Sequence, residues 1–110
     1  MDSKTRLLYW MLSASRGGPT RIRILNALSA KPMNLRKLAL ELSLDYKTVQ
    51  GHIEMLVENG IVYTPKQGYG QVLFISPDWE ENEFLKEVLG NNGNGDGNEK
   101  RKSRKKGKKK

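Results

Sequence analysis

A short polar stretch in the middle of this 110-residue chain has the residue types that bind an anionic polymer. Lys47 and Thr48 suit phosphate oxygens or base edges, and Gln50 can make a pair of hydrogen bonds to adenine in a major groove. Gly51 would let the backbone approach such a partner closely, although glycine weakens a helix by up to about 1 kcal/mol relative to alanine. The spacing favours nucleic-acid recognition, and the alternative is an ordinary solvated helix face.

The helix that carries this stretch is predicted for residues 45–58. Asp45 is a strong N-terminal cap, and the apolar face of the helix is formed by Val49, Ile53, Leu56 and Val57. Asn59 and Gly60 then favour a helix end. The residues opposite the apolar face are Tyr46, Lys47, Thr48, Gln50, Gly51 and Glu54.

Two further side chains of this helix have open roles. Glu54 would repel phosphate unless it accepts a hydrogen bond from a cytosine amine or points away. His52 borders the apolar face, so we expect it to be partly buried or to contact a phosphate. Catalysis by His52 is not expected, because no nucleophile or base accompanies it.

The preceding residues predict a partner helix and a tight turn. Asn34 can cap a helix over residues 35–42, whose apolar positions follow a helical period. Ser43 and Leu44 then make a short turn, in which Ser43 takes the place where a positive φ often requires glycine. Two short helices joined in this way are typical of a helix-turn-helix.

A β-hairpin is predicted directly after the second helix. Residues 61–64 and 71–75 are rich in strand formers and flank a loop with one proline and two glycines. We expect Lys66, Gln67 and Tyr69 at its tip to reach a minor groove, with a solvent-exposed turn as the alternative. Four cations near helix starts could flank the DNA backbone; these are Arg21, Arg23, Arg36 and Lys37.

The segments GPTRIRILNAL, LRKLALELSLDYKTVQGHIEMLVENGIV and GYGQVLFIS resemble archaeal winged-helix regulators of the ArsR type. The resemblance covers residues 17–76, and the leading LLYW segment is also similar to archaeal members. It implies that the second helix of the motif enters the major groove and that terminal helices build a two-fold dimer. Metal-sensing members carry Cys and His ligands that this chain lacks, so the resemblance favours DNA binding and opposes metal sensing.

The two ends of the domain carry more apolar side chains than a winged helix of 60 residues can cover. Such amphipathic helices leave an apolar patch unless they pair, and two-fold pairing is the commonest closed assembly. We therefore expect a homodimer, with packing of both helices on their own domain as the alternative. The predicted dimerisation residues are Leu7, Leu8, Trp10, Met11, Trp79, Phe84, Leu85 and Val88.

Charge is concentrated at the C-terminus. Residues 90–110 contain no apolar side chain, so we expect a disordered tail there. Its net charge of +8 over residues 99–110 equals that of the whole chain, and a polyanionic partner is expected. Nonspecific nucleic-acid contact is predicted for Lys100, Arg101, Lys102, Arg104, Lys105, Lys106, Lys108, Lys109 and Lys110.

Several classes of function are unfavourable for this composition. There is no Cys, which excludes disulfides and thiolate metal sites, and a single His makes a metal site improbable. The apolar run at 7–12 is too short for a signal peptide or a membrane span. We expect a cytoplasmic protein without enzymatic activity, cofactor or metal.

Taken together, the residues predict a mainly α fold with a small β-hairpin. The predicted units are an N-terminal dimerisation helix (1–16), a winged helix-turn-helix (17–76), a C-terminal dimerisation helix (77–89) and a basic tail (90–110). The expected function is sequence-specific regulation of transcription, with helix 45–58 in the major groove of double-stranded DNA and wing 64–71 on the flanking backbone. The alternatives are a protein-interaction winged helix in a transcription or translation assembly and a nonspecific chromatin- or RNA-binding protein.

Overall fold

A computed structural model describes residues 2–65 and 71–93. Within them a π-helical segment, Tyr9–Ala14, directly follows the first helix. The helices are α1 Ser3–Leu8, α2 Gly18–Ala30, α3 Leu35–Leu42, α4 Tyr46–Glu58, α5 Pro77–Glu80 and α6 Glu83–Gly93. The strands are β1 Met33–Asn34, β2 Val62–Tyr63 and β3 Val72–Ile75. This mainly helical architecture with a small sheet confirms the predicted fold class.

Local capping fixes the two helices of the helix-turn-helix. The Asn34 side chain accepts a hydrogen bond from the Lys37 N–H at 2.8 Å, and the Asp45 carboxylate accepts one from the Thr48 N–H at 3.1 Å. Between the helices, Ser43 lies in the left-handed region with φ 56° and ψ 42°. The predicted turn is therefore confirmed, with serine at the position that glycine would occupy without strain.

The sheet is antiparallel, with the strand order β1-β3-β2. Val62 pairs with Ile75 in the predicted hairpin, and Met33 pairs with Leu73 to add a third strand. Strand β1 is not predictable from local sequence, because two residues are too few for a strand pattern and the strand forms only through its pairing with β3. Pairing of β1 ties the start of α3 to β3, so the helix-turn-helix and the described hairpin strands are held in one orientation.

The end helices pack on their own domain, which was the alternative to a dimer surface. Leu8 and Met11 are fully buried, Leu85 is 2% exposed, and Trp79 is 4% exposed. Their assignment to a dimer surface is therefore wrong, because an amphipathic pattern identifies a buried face without showing what covers it. Of the other predicted dimerisation residues, Trp10 is 52% exposed, whereas Leu7, Phe84 and Val88 are partly buried against the core.

One C-terminal helix was predicted after residue 76, whereas the structure has two, α5 and α6. The helical conformation is interrupted between α5 and α6. There the Asn82 side chain accepts a hydrogen bond from the Leu85 N–H at 3.0 Å and caps the N-terminus of α6. Ser76 precedes α5, and its side chain makes no capping hydrogen bond. The α6 helix continues to Gly93, so the predicted helix end at residue 89 is corrected.

The N-terminal segment is closely apposed to α2. Gly18 faces the Leu12 carbonyl, where an added Cβ would clash with the backbone. The glycine pair at 17–18 therefore permits close packing between the π-helical segment and α2. Among the described residues, no helix combines the length and apolar character that crossing a membrane requires.

Candidate nucleic-acid interface

The α4 helix presents the two faces that the sequence predicted, except that Val57, expected on the buried face, is 44% exposed. Val49 and Leu56 are fully buried, and Ile53 is 6% exposed. The opposite face is exposed at Tyr46, Lys47, Thr48, Gly51 and Glu54, and Gln50 is partly buried. Burial of one face fixes the rotation of the helix, so the polar residues have a defined outward direction.

A groove separates α4 from the sheet and has a volume of about 410 Å³. Gln50 and Glu54 from α4 line it, one helical turn apart. Arg36 from the start of α3 lines it as well. The remaining lining residues are Asn34, Leu35, Tyr46, Ile53, Gln71 and Leu73. The groove joins the predicted recognition helix to the base of the wing in one surface.

Two polar residues that line the groove were not predicted as part of the interface. Gln71 lies just before β3, and Asn34 lies in β1 while its side chain caps α3. Their position beside α4 depends on the pairing of Asn34 with Val72. The local sequence predicts only a helix cap at Asn34 and only the first residue of a strand at Gln71.

The other predicted DNA contacts are distributed around this groove. Lys37 is exposed on the first turn of α3, and Gly51 is open to solvent, with no atom within 4 Å of an added Cβ. Lys66, Gln67 and Tyr69 lie outside the described residues, as do the cations of the tail from Lys100 to Lys110. Their roles stay predictions.

His52 lies against α2 instead of in the groove. An added Cβ on Gly17 would be 2.9 Å from His52 Cε1 and 3.0 Å from Arg21 Nη2, so the two side chains converge on one point. Burial lowers the pKa of the His52 imidazole, and the Arg21 charge lowers it further. His52 was expected to be partly buried or to contact a phosphate, and the structure shows it partly buried.

Arg21 was expected near the DNA backbone, and this expectation is wrong. Its side chain is only 7% exposed, and Nη1 donates to the Met11 carbonyl at 2.9 Å and to Ser15 Oγ at 2.7 Å. Its Nε is buried without a hydrogen-bond partner among the described residues. By contrast, Arg23 is exposed, and its Nη2 donates to the Leu42 carbonyl at the end of α3, at 2.8 Å. Arg21 thus stabilises the protein interior, since a buried guanidinium satisfies backbone oxygens there.

No cluster of three His, Cys, Asp or Glu side chains in the described ranges has the geometry to hold a metal ion. The exposed face around the groove instead carries the hydrogen-bonding and cationic side chains of Arg36, Lys47, Thr48 and Gln50. Such a surface can bind phosphates and base edges.

Comparison with known proteins agrees with this geometry. Residues 18–64 match the sequence model of the bacterial regulatory protein, arsR family. The matched segment extends from the start of α2 to just past β2 and includes both helices of the helix-turn-helix. No curated protein matches the chain in sequence.

Solved structures share the fold at low sequence identity. The transcriptional repressor BigR from Xylella fastidiosa is similar with a TM-score of 0.58 and 19% identity, over 79% of this chain and 78% of that one. The PcaV transcriptional regulator from Streptomyces coelicolor has a TM-score of 0.56 and 19% identity, over 77% of this chain and 64% of PcaV. Its complex with its natural ligand gives a TM-score of 0.56, 22% identity, and coverages of 76% and 60%. This chain therefore spans less than two thirds of PcaV, and the similarity shows a winged helix-turn-helix fold.

Proposed function

We propose that this chain is a sequence-specific DNA-binding regulator of transcription. The observation that carries the proposal is the fixed rotation of α4, which buries Val49 and turns Lys47 and Thr48 outward within an ArsR-family helix-turn-helix. A helix of this kind fits the major groove, whose base edges present distinct hydrogen-bond patterns.

Each polar residue of the interface has a role that follows from its chemistry. Lys47 and Thr48, on the first turn of α4, bind phosphates or base edges, and Gln50 binds adenine. Arg36 and Lys37 at the start of α3 bind phosphates on one side. The wing at 64–71 binds the flanking backbone on the other side. Phosphate contacts set the register of the protein, and the contacts from Gln50 provide sequence preference.

The active form in this proposal is a homodimer. Trp10 and Tyr9 are 52% and 49% exposed, and the Tyr9 ring lies 6.1 Å from that of Phe84, which joins the π-helical segment to α6 in one aromatic patch. A second copy covering this patch through a two-fold axis would place two α4 helices on one side of the DNA. The binding sites are then inverted repeats with half-sites roughly 10 bp between centres.

The proposal includes no catalysis, cofactor or metal. The chain has no Cys and one His, and that His contacts α2 instead of a reacting group. The proposed place of action is the cytoplasm.

Selection of duplexes from a randomised pool by the full chain, followed by sequencing, tests the proposal. The regulator is expected to enrich an inverted repeat and to bind it at least about a thousandfold more tightly than bulk DNA. Enrichment of no sequence, with uniform binding to all duplexes, would show a nonspecific chromatin-type protein. A lack of binding to any duplex would instead favour a protein-interaction winged helix.

A further inference from the structure

Glu54 places a carboxylate on the surface that the proposed function turns toward DNA. Its side chain is exposed and lines the groove between α4 and the sheet, together with Gln50 one helical turn earlier. Glu54 therefore lies on the same side of α4 as Gln50, which is proposed to read bases.

Among the described residues, no cation pairs with this carboxylate. Arg36 lines the same groove, yet no Lys, Arg or His of the described residues forms an ion pair with Glu54. An unpaired carboxylate in this position repels the phosphates of every duplex in the same way. Its presence weakens binding unless a DNA group supplies a hydrogen-bond donor.

The donor that fits is the exocyclic amine of cytosine. In the major groove cytosine presents an N4 amine, and carboxylates accept hydrogen bonds from it. Adenine also presents an amine, but its N7 acceptor lies beside that amine and repels a carboxylate. Guanine and thymine present acceptors at the corresponding positions, so neither of these two bases compensates the charge.

We propose that Glu54 is a specificity-determining residue that accepts a hydrogen bond from the N4 amine of a cytosine in the major groove. The inference rests on the proposed function. Because Gln50 and Glu54 are four residues apart, their positions differ by about 6 Å along α4. This distance corresponds to about two base-pair steps of 3.4 Å. The cytosine read by Glu54 therefore lies about two base pairs from the adenine read by Gln50.

The test compares Glu54→Gln with the matched control Glu58→Gln. Glu58 is also exposed and belongs to the same helix, but it does not line the groove. The full-length wild type and both variants each select duplexes from the same randomised pool. Thermal unfolding of each protein verifies that surface substitutions leave the fold intact.

Wild type is expected to enrich one cytosine per half-site that Glu54→Gln no longer requires. Replacement of that C·G pair by T·A should weaken wild-type binding about tenfold or more and should affect Glu54→Gln much less. Because the repulsion is removed, Glu54→Gln should also bind bulk DNA several-fold more tightly. Glu58→Gln should keep the wild-type base preferences.

A duplex with N4-methylcytosine at this position gives a second readout. The methyl group replaces the amine hydrogen that faces the major groove, while the other amine hydrogen still pairs with guanine. Wild type should lose affinity for this duplex, and Glu54→Gln should not. If wild type selects a sequence and Glu54→Gln keeps every base preference, the inference about Glu54 is wrong and the proposed function stands. If wild type selects no sequence, both are wrong.

Discussion

The side chains of Arg21 and His52 converge at Gly17, where an added Cβ would lie 3.0 Å from Arg21 Nη2 and 2.9 Å from His52 Cε1. Arg21 belongs to α2 and binds the carbonyl of Met11 in the π-helical segment, whereas His52 belongs to α4. This junction therefore connects the N-terminal segment to the helix that is proposed to read DNA.

Removal of the Arg21 guanidinium should destabilise the fold. Replacement of Arg21 by Met keeps most of the buried stem but loses the hydrogen bonds from Nη1 to Met11 and Ser15. The free energy of unfolding should fall by about 1–3 kcal/mol, the range for hydrogen bonds to charged groups and for polar groups left unpaired. Urea denaturation of wild type and Arg21→Met measures this difference in the free energy of unfolding.

Arg23→Met is the matched control for that measurement. Arg23 is exposed, and within the described part of the chain it donates to one carbonyl, that of Leu42. Its loss should cost clearly less than the loss of Arg21, because water can replace the exposed bond. Equal losses for the two variants would contradict an interior role for Arg21.

The stability of the protein should depend on the protonation of His52. Burial, with the Arg21 charge as a smaller cause, lowers the pKa of His52 in the folded chain from its usual 6.5. Between the lowered pKa and 6.5 the unfolded chain binds more protons, so the free energy of unfolding should fall as the pH drops below about 6.5. In His52→Gln this part of the pH dependence should be absent, as measured by denaturation from pH 8 to pH 5. Curves of the same shape for both proteins would exclude this role of His52.

The exposed aromatic patch should control self-association. The full chain should sediment as a dimer, and Trp10→Gln should shift it toward monomer because a large apolar contact is lost. Leu40→Gln is the control, since Leu40 is 74% exposed but lies on α3. A wild-type monomer at high concentration would contradict the proposed dimer, and equal effects of both substitutions would place the interface elsewhere.

The nine cations of residues 100–110 should add affinity without sequence preference. Each neutralised phosphate contributes about −0.9 to the slope of log affinity against log salt. Truncation after Gly93, the end of α6, should flatten this slope by several units and leave the ratio of specific to nonspecific affinity nearly unchanged. A full-length chain with the nine cations replaced by glutamine should behave like the truncation. An unaltered slope in both would assign the tail to solubility or to another acidic partner.

Local chemistry made much of the helix-turn-helix predictable. Asn34 and Asp45 cap their helices through contacts only three residues away, and the turn forces Ser43 to a positive φ. The buried face of α4 follows from a spacing that repeats within one helix. Such features need only a short stretch of sequence.

Features that depend on distant partners were missed. Strand β1 forms only because Met33 pairs with Leu73, 40 residues away. The same limit applies to Arg21, whose charge was expected at the surface, and to Leu8 and Trp79, which were expected to contact a second copy. A sequence pattern shows that a face is apolar or a residue charged, whereas packing decides what covers it.

The role of α4 in reading DNA is the central claim, and the affinity of the double variant Lys47→Ala/Gln50→Ala for the selected duplex tests it most directly. Each lost base contact should cost about 1–3 kcal/mol, so the loss of two should weaken binding to that duplex by about thirtyfold or more. Affinity for bulk DNA should change much less. Lys86→Ala, which removes one cation from α6, should bind as wild type does, because Lys86 does not line the groove. Unchanged affinity of the double variant for the selected duplex would contradict the proposed insertion of α4 in the major groove.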